Sequence, residues 1–175
     1  LTVQYLFNRT TQLKRGDTIL FHAAAGGVGL IACQWARAMG VTMIGTVGSD
    51  AKAELARSHG CAHVINYNTE DFVKRVAEIT NGEKVSVVYD SIGKDTFIGS
   101  LDCLRPRGLM VSFGNASGPV EPFGLNELAS RGSLFVTRPT LFGYAATRAD
   151  LEEMAADLFE MVESGKVKIE INQRY

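Results

Sequence analysis

The stretch HAAAGGVGLIACQWARAMG, residues 22–40, does most to limit how this chain can fold. It sets Ala24-x-Gly26-x-x-Gly29 between two different periodicities. Before it, residues 17–23 (DTILFHA) form a short apolar run bounded by KRGD, which reads as a buried strand. After it, residues 28–39 are apolar at helical spacing and stop at Gly40, a C-cap residue. A turn of this kind leaves backbone N–H groups bare at a helix N-terminus, where the partial positive charge favours an anion. Glycine alone lets a diphosphate approach that backbone. The spacing fits G-x-G-x-x-G with alanine in the first position. It makes Gly26 the point of close approach and Gly29 the residue that lets the helix pack tightly on the strand. The competing reading is a tight strand-to-helix turn with no ligand.

The rest of the chain keeps the same rhythm. Strands are expected at residues 41–47, 63–66, 85–90, 109–114 and 133–138, and helices at 51–58, 69–80, 95–104 and 150–162. Thr69 is read as the N-cap of the 69–80 helix, with acids in the turn after it. Residues 166–171 (KVKIEI) alternate and predict one more strand. The early strands are apolar throughout, as strands covered on both faces must be. The fold class is therefore α/β, a doubly wound parallel sheet of the Rossmann type in a single domain. Residues 115–132, rich in Gly, Pro and Ser, form the one irregular stretch, with a short helix expected in LNELASR.

Composition removes several function classes. A net charge of −1 gives no basic field to draw nucleic acid or acidic membranes. No apolar run approaches the roughly 18–20 residues that cross a bilayer, and no signal-peptide pattern opens the chain. The three cysteines, Cys33, Cys61 and Cys103, are odd in number and widely spaced, which fits a reducing, cytoplasmic compartment. His59, Cys61 and His63 could suggest a metal site. Their place between a helix end and a strand start reads better as a surface connection. Leucine at the first position reads as a piece of a longer protein.

The end of the second strand bears on the cofactor. An NAD site usually has an acid there to accept from the ribose 2′-OH. Val47 occupies that position, so no carboxylate repels a 2′-phosphate. Ser49 can donate a hydrogen bond and Lys52 brings a positive charge. Asp50 argues the other way unless it turns outward as a helix N-cap. The pattern favours NADP(H). Among other polar residues, His22 reads as a packed strand residue, Asp90 as a turn or cap residue, and Gln34 and Trp35 as packing or domain contacts. Tyr67 follows the third strand, on the adenosine side or as an aromatic capping the sheet edge.

The residues HAAAGGVGLIACQWARAMG, KAELARSHG, VVYDSIGKDTF, LDCLRPRGLMVSFGNASGPV and VTRPTL resemble the cofactor domain of NADPH:quinone oxidoreductases. These form the zeta-crystallin-like, zinc-free branch of the medium-chain dehydrogenase/reductase superfamily. AAAGGVG is shared with enoyl reductases, whereas SFGNASGPV followed by VTRPTL is specific to the quinone branch. The resemblance implies NADPH as cofactor and a quinone as substrate. It implies diphosphate contacts at Gly26, Gly27, Val28 and Gly29. Ser49, Lys52 and Tyr67 would surround the 2′-phosphate. Ser91 and Ile92 would follow strand four, and Phe113 and Asn115 would lie on the nicotinamide side. No catalytic side chain and no metal ligand is implied in this segment. Residues 1–16 would be an interdomain linker helix, 17–165 the cofactor domain, and 166–175 the start of a return to a separate GroES-like catalytic domain. The alternatives are an enoyl-thioester reductase and a non-catalytic, crystallin-like NADPH-binding protein.

The last expectation concerns assembly. SLFVTRPTL is an apolar strand interrupted by Pro139, which places it at a sheet edge. An open apolar edge invites pairing. The resemblance points the same way, to a homodimer that joins two sheets antiparallel near Val136. The alternative is a monomer whose edge is covered by FGYAATR.

Overall fold

The computed structural model describes residues 1–171. The chain opens with a short helix, α1 (Thr2–Gln4), that runs directly into a π-helical segment, Tyr5–Thr10. Then follow β1 (Thr18–Phe21), α2 (Gly27–Met39), β2 (Thr42–Val47), α3 (Asp50–Ser58), β3 (His63–Asn66) and α4 (Phe72–Ile79). The second half contains β4 (Val85–Asp90), α5 (Phe97–Asp102), β5 (Leu104–Ser112), α6 (Asn126–Ser130), β6 (Phe135–Thr137), α7 (Leu141–Tyr144) and α8 (Arg148–Glu163).

The six strands form one parallel sheet in the order β3-β2-β1-β4-β5-β6. The order reverses between β1 and β4, and a crevice opens there at the carboxyl ends of the strands. Side chains alternate between two cores. Ile19, Phe21, Met43, Tyr89 and Val111 face Leu6, Phe7, Trp35 and Met154 on one side. Leu20, Ile44, Ile65, Val88 and Met110 face Val76, Phe97 and Leu101 on the other. Two apolar covers explain why the strands read as continuous apolar runs.

The N-terminal segment packs into the first core, with Val3, Tyr5, Leu6 and Phe7 all buried. Its end is held by Thr11, whose hydroxyl donates to Leu6 O at 2.9 Å and lies 2.6 Å from the Tyr89 hydroxyl. α7 packs back onto this segment through Tyr144, stacked on Tyr5 at 5.0 Å.

Several boundaries differ from expectation. The helix expected from residue 69 starts at Phe72, because Asp71 is the cap and accepts from the N–H groups of Val73 and Lys74. β5 begins at Leu104 and takes in RPRG; the register with β4 shifts there and Arg107 N–H donates to Gly132 O. The strand expected at 166–171 does not form, through Ile171 at least. Val167 is buried, but the segment lies on α2. The Gln34 amide donates to Lys168 O at 3.1 Å and accepts Lys168 N–H at 2.8 Å. One side-chain amide thus supplies the pairing that a neighbouring strand would give, and no sheet edge is needed.

Candidate cofactor site

The glycine turn forms the floor of the crevice. Gly26 is the N-cap of α2 in an extended conformation and gives no side-chain cap. The first N–H groups of a helix have no partner within it. Here nothing from the N-cap side chain replaces that partner. A Cβ built on Gly27 would meet no atom within 4 Å, so this corner is open. A Cβ on Gly29 would lie 2.5 Å from Ala24 O, so the close packing of α2 on β1 excludes any side chain. Gly45 has a related role, since its Cβ would fall 2.5 Å from that of Ala24.

A cavity of about 140 Å³ lies over this turn, lined by Ala23, Ala25, Gly26, Val47, Gly48, Lys52 and Tyr67. Of the residues expected here, the fold thus unites Gly26, Lys52 and Tyr67. Ser49 adjoins them as the N-cap of α3, where its hydroxyl accepts Lys52 N–H at 3.3 Å. The cap role considered for Asp50 therefore falls to Ser49. Asp50 instead accepts from the Asn66 side chain at 2.8 Å. Lys52 is exposed and joins no ion pair among the described residues. Tyr67 is 49 % exposed, and its hydroxyl lies so close to Gly48 that a Cβ there would stand 2.6 Å away. Gly48 thus makes room for the ring.

Val28 follows in the first turn of α2. With Gly27 it borders a separate apolar cavity of about 220 Å³, formed with Leu1, Val3, Ile31, Trp35, Leu158 and Ile169.

Tyr67 also joins the first cavity to a larger one of about 440 Å³. The other lining residues are His22, Phe72, Ile92, Asp95, Thr96, Ala116 and Ser117. Here the turns after β4 and β5 are tied together. Ala116 N–H donates to Ser91 O at 3.0 Å and Ser117 N–H to Ile92 O at 2.8 Å. Ser91 and Ile92 therefore hold the β5 turn by their carbonyls. Asn115 is exposed on that turn, and Phe113 lies half-buried, its ring 5.6 Å from that of Phe21.

Three further groups shape this region. Asp90 Oδ1 accepts the N–H groups of Ile92 and Gly93 at 2.7 and 3.0 Å, and Oδ2 accepts the Thr96 hydroxyl at 2.7 Å. The Asp90 side chain thus closes its own turn. Arg138, just after β6, donates to Ser112 O and Gly114 O at 3.1 and 2.9 Å and fixes the end of β5. Phe72, Asp95, Thr96, Ala116 and Ser117 were not legible as site residues. They come from α4 and two turns whose approach depends on strand order, and no local spacing announces them.

The connection from His59 to His63 carries two local bonds. His59 Nδ1–H donates to Leu55 O at 2.8 Å, and Cys61 is buried with Sγ donating to His63 O at 3.2 Å. No helix among the described residues is long and apolar enough to cross a membrane.

Comparison with known proteins then gives a family. The family model described as zinc-binding dehydrogenase matches residues 27–161. The chain is 59 % identical over 175 residues to a quinone oxidoreductase of Pseudomonas aeruginosa, covering all of this chain and 54 % of that protein. It is 53 % identical over 166 residues to a 2-haloacrylate reductase of a Burkholderia species, covering 94 % of this chain and 50 % of that protein. The crystal structure of Escherichia coli quinone oxidoreductase complexed with NADPH superposes with a TM-score of 0.95 at 55 % identity, over 97 % of this chain and 52 % of that one. The enoyl reductase CurK is more distant, with a TM-score of 0.85 at 27 % identity over 99 % of this chain and 52 % of that one. The chain spans about half the length of the curated relatives it matches.

Proposed function

This chain belongs to the zinc-binding dehydrogenase family, and from that premise we propose that it is the NADPH-binding part of a quinone oxidoreductase. The observation that carries the reading is an uncapped, glycine-lined helix N-terminus opening into a cavity walled by Lys52 and Tyr67, with Val47 where an NAD site has an acid. The diphosphate would lie against Gly26, whose own N–H donates to Ala23 O at 2.9 Å, on the backbone N–H groups of Gly27, Val28 and Gly29, with Gly29 also keeping α2 close to β1. Ser49, Lys52 and Tyr67 would surround the 2′-phosphate, while the Asp50 carboxylate accepts from the Asn66 side chain. Ser91 and Ile92 would border the other half of the cofactor, and Phe113 and Asn115 the nicotinamide side. When bound, NADPH supplies the hydride. The residues of this chain orient it and exclude water; none is assigned a proton-transfer or nucleophilic role.

The acceptor is a quinone in this reading, because a quinone oxidoreductase stands at 59 % identity and the enoyl reductase at 27 %. The 2-haloacrylate reductase at 53 % supports a second reading, an electron-poor alkene as acceptor. The burial of Cys33, Cys61 and Cys103 supports the zinc-free branch. A cytoplasmic location and a homodimer through β6 complete the reading. Phe135 is exposed on this edge strand, and α7, from the FGYAATR segment, spends its Tyr144 on Tyr5.

Calorimetry tests the cofactor. NADPH should bind more tightly than NADH, and Lys52→Ala should weaken NADPH by about tenfold or more while leaving NADH unchanged, since a charge-assisted contact is worth roughly 1.5–3 kcal/mol. Equal losses for both would overturn the assignment. Turnover of the full-length protein with naphthoquinone, 2-haloacrylate and crotonyl thioester separates the acceptors, and no turnover with any favours a binding-only role. Light scattering, with Val136→Lys expected to shift a dimer toward monomer, tests the edge.

A further inference from the structure

Beneath the crevice runs a chain of buried side chains that the cofactor reading leaves without a role. His22, following β1, places Nδ1 2.9 Å from Thr46 Oγ1 on β2 and Nε2 2.9 Å from Ser100 Oγ on α5. Ser100 Oγ lies 3.3 Å from Asp90 Oδ2. His22 and Thr46 are each 1 % exposed, and Ser100 and Asp90 are fully buried. The imidazole stands edge-on to Phe72, with ring centres 5.2 Å apart.

The carboxylate at one end sets the direction of every bond. A carboxylate only accepts, and a serine hydroxyl has one proton to give. Ser100 gives that proton to Asp90, so its oxygen accepts from His22. Nε2 of His22 therefore carries the ring proton. Nδ1 is left bare and accepts from the Thr46 hydroxyl. Burial favours this neutral ring and pushes its pKa below the ordinary value, with the charge of Asp90 pulling the other way.

The two ends of the chain are the two walls of the crevice. Thr46 O accepts Ala24 N–H of the glycine turn at 3.0 Å, and Val47 and Gly48, which follow it, line the smaller cavity. Asp90 holds Ile92, which lines the larger one. We infer that His22, as the neutral Nε2–H tautomer, is a positioning residue for the cofactor crevice, locking the end of β2 to the β4–α5 turn so that the walls keep one spacing before the ligand arrives. Preorganisation of this kind lowers the ordering that binding would otherwise require. The role rests on the cofactor reading above.

Two variants and one spectrum test it. His22→Leu keeps the apolar bulk and loses both bonds. His22→Gln keeps an acceptor and a donor side by side. His22→Leu should weaken NADPH and NADH alike by about tenfold or more, unlike Lys52→Ala, while His22→Gln should stay within about threefold of the unsubstituted chain. Long-range ¹⁵N–¹H NMR on the labelled, ligand-free chain should show the proton of His22 on Nε2. A proton on Nδ1, or a folded His22→Leu chain that binds both cofactors normally, overturns the inference. If His22→Leu does not fold, the tautomer and His22→Gln decide, and a tenfold loss in His22→Gln also overturns it. If the unsubstituted chain binds no NADPH, the cofactor reading fails and the positioning role falls with it. NADPH binding with the wrong tautomer overturns this inference alone.

Discussion

The β1–α2 and β4–α5 turns leave the same edge of the sheet from neighbouring strands, and they are finished in opposite ways. The first ends in glycines, and α2 begins with no side-chain cap. The second ends in Asp90, whose carboxylate takes two backbone N–H groups and two hydroxyls. One turn carries its anion as part of the chain. The other keeps its donors bare, as a turn that receives an anion from outside must. α3, α4 and α8 sharpen the contrast, since Ser49, Asp71 and Thr147 cap them by ordinary means. An uncapped start is thus particular to α2 among the longer helices, and it faces the crevice.

The largest effect should come from emptying the self-closed turn. Asp90→Ala strands the Ile92 and Gly93 N–H groups and the Thr96 and Ser100 hydroxyls. Gly93 N–H and the Ser100 hydroxyl are buried, and each unsatisfied buried group costs about 1–3 kcal/mol; with the part-buried Ile92 N–H the total should reach about 3 kcal/mol. For a chain of this size that lowers the melting temperature by roughly 6–12 °C. A drop of under about 2 °C in calorimetry would break the contrast, because water would then be doing what the carboxylate does.

A smaller effect is expected at Gly29. Gly29→Ala pushes a methyl group against Ala24 O, and α2 must lift off β1. Urea unfolding should register a loss of about 1–3 kcal/mol, the usual cost of overpacking. Unchanged stability would mean that the helix tolerates a wider spacing, and that the glycine serves something other than packing.

Two residues earlier the sign should reverse. Gly27→Ala meets no atom within 4 Å and replaces a poor helix former by the best one. Stability should hold or rise by up to about 1 kcal/mol. NADPH binding, measured by fluorescence titration, should still fall by about fivefold, near 1 kcal/mol. If stability and binding both stay put, the bare corner at Gly27 receives no diphosphate. This is the smallest expected change and the sharpest separation of ligand clearance from packing.

Much of the sheet was legible because it is written locally. Leu20, Ile44 and Val88 lie in short apolar runs bounded by turn residues, the pattern of strands covered on both faces. Residues 63–66 and 85–90 were placed without error. The structure differs where another residue, distant or two positions along, supplies what the local pattern suggested. KVKIEI alternates like a strand, yet Gln34, 134 positions away from Lys168, satisfies that backbone. Thr69 resembles a cap, yet Asp71 stands where α4 actually starts.

The site divides along the same line. The sequence by itself determined the glycine turn, the missing acid at Val47 and the cation at Lys52, because each depends on residue type at a short, fixed spacing from a strand end. Only the tertiary structure decided that Tyr67 reaches over Gly48, that Val28 borders a separate cavity, and that Thr96 and Ser117 line the larger one. The same holds for His22, which as a single letter in an apolar strand shows neither its two partners nor its tautomer. Thr46 lies 24 residues from it and Ser100 78, and the order β3-β2-β1-β4 brings the end of β2 and the helix that follows β4 to the imidazole. Local spacing specifies what a turn can bind; strand order specifies which residues surround it, because a parallel sheet gathers at one edge the ends of strands that are far apart in the chain.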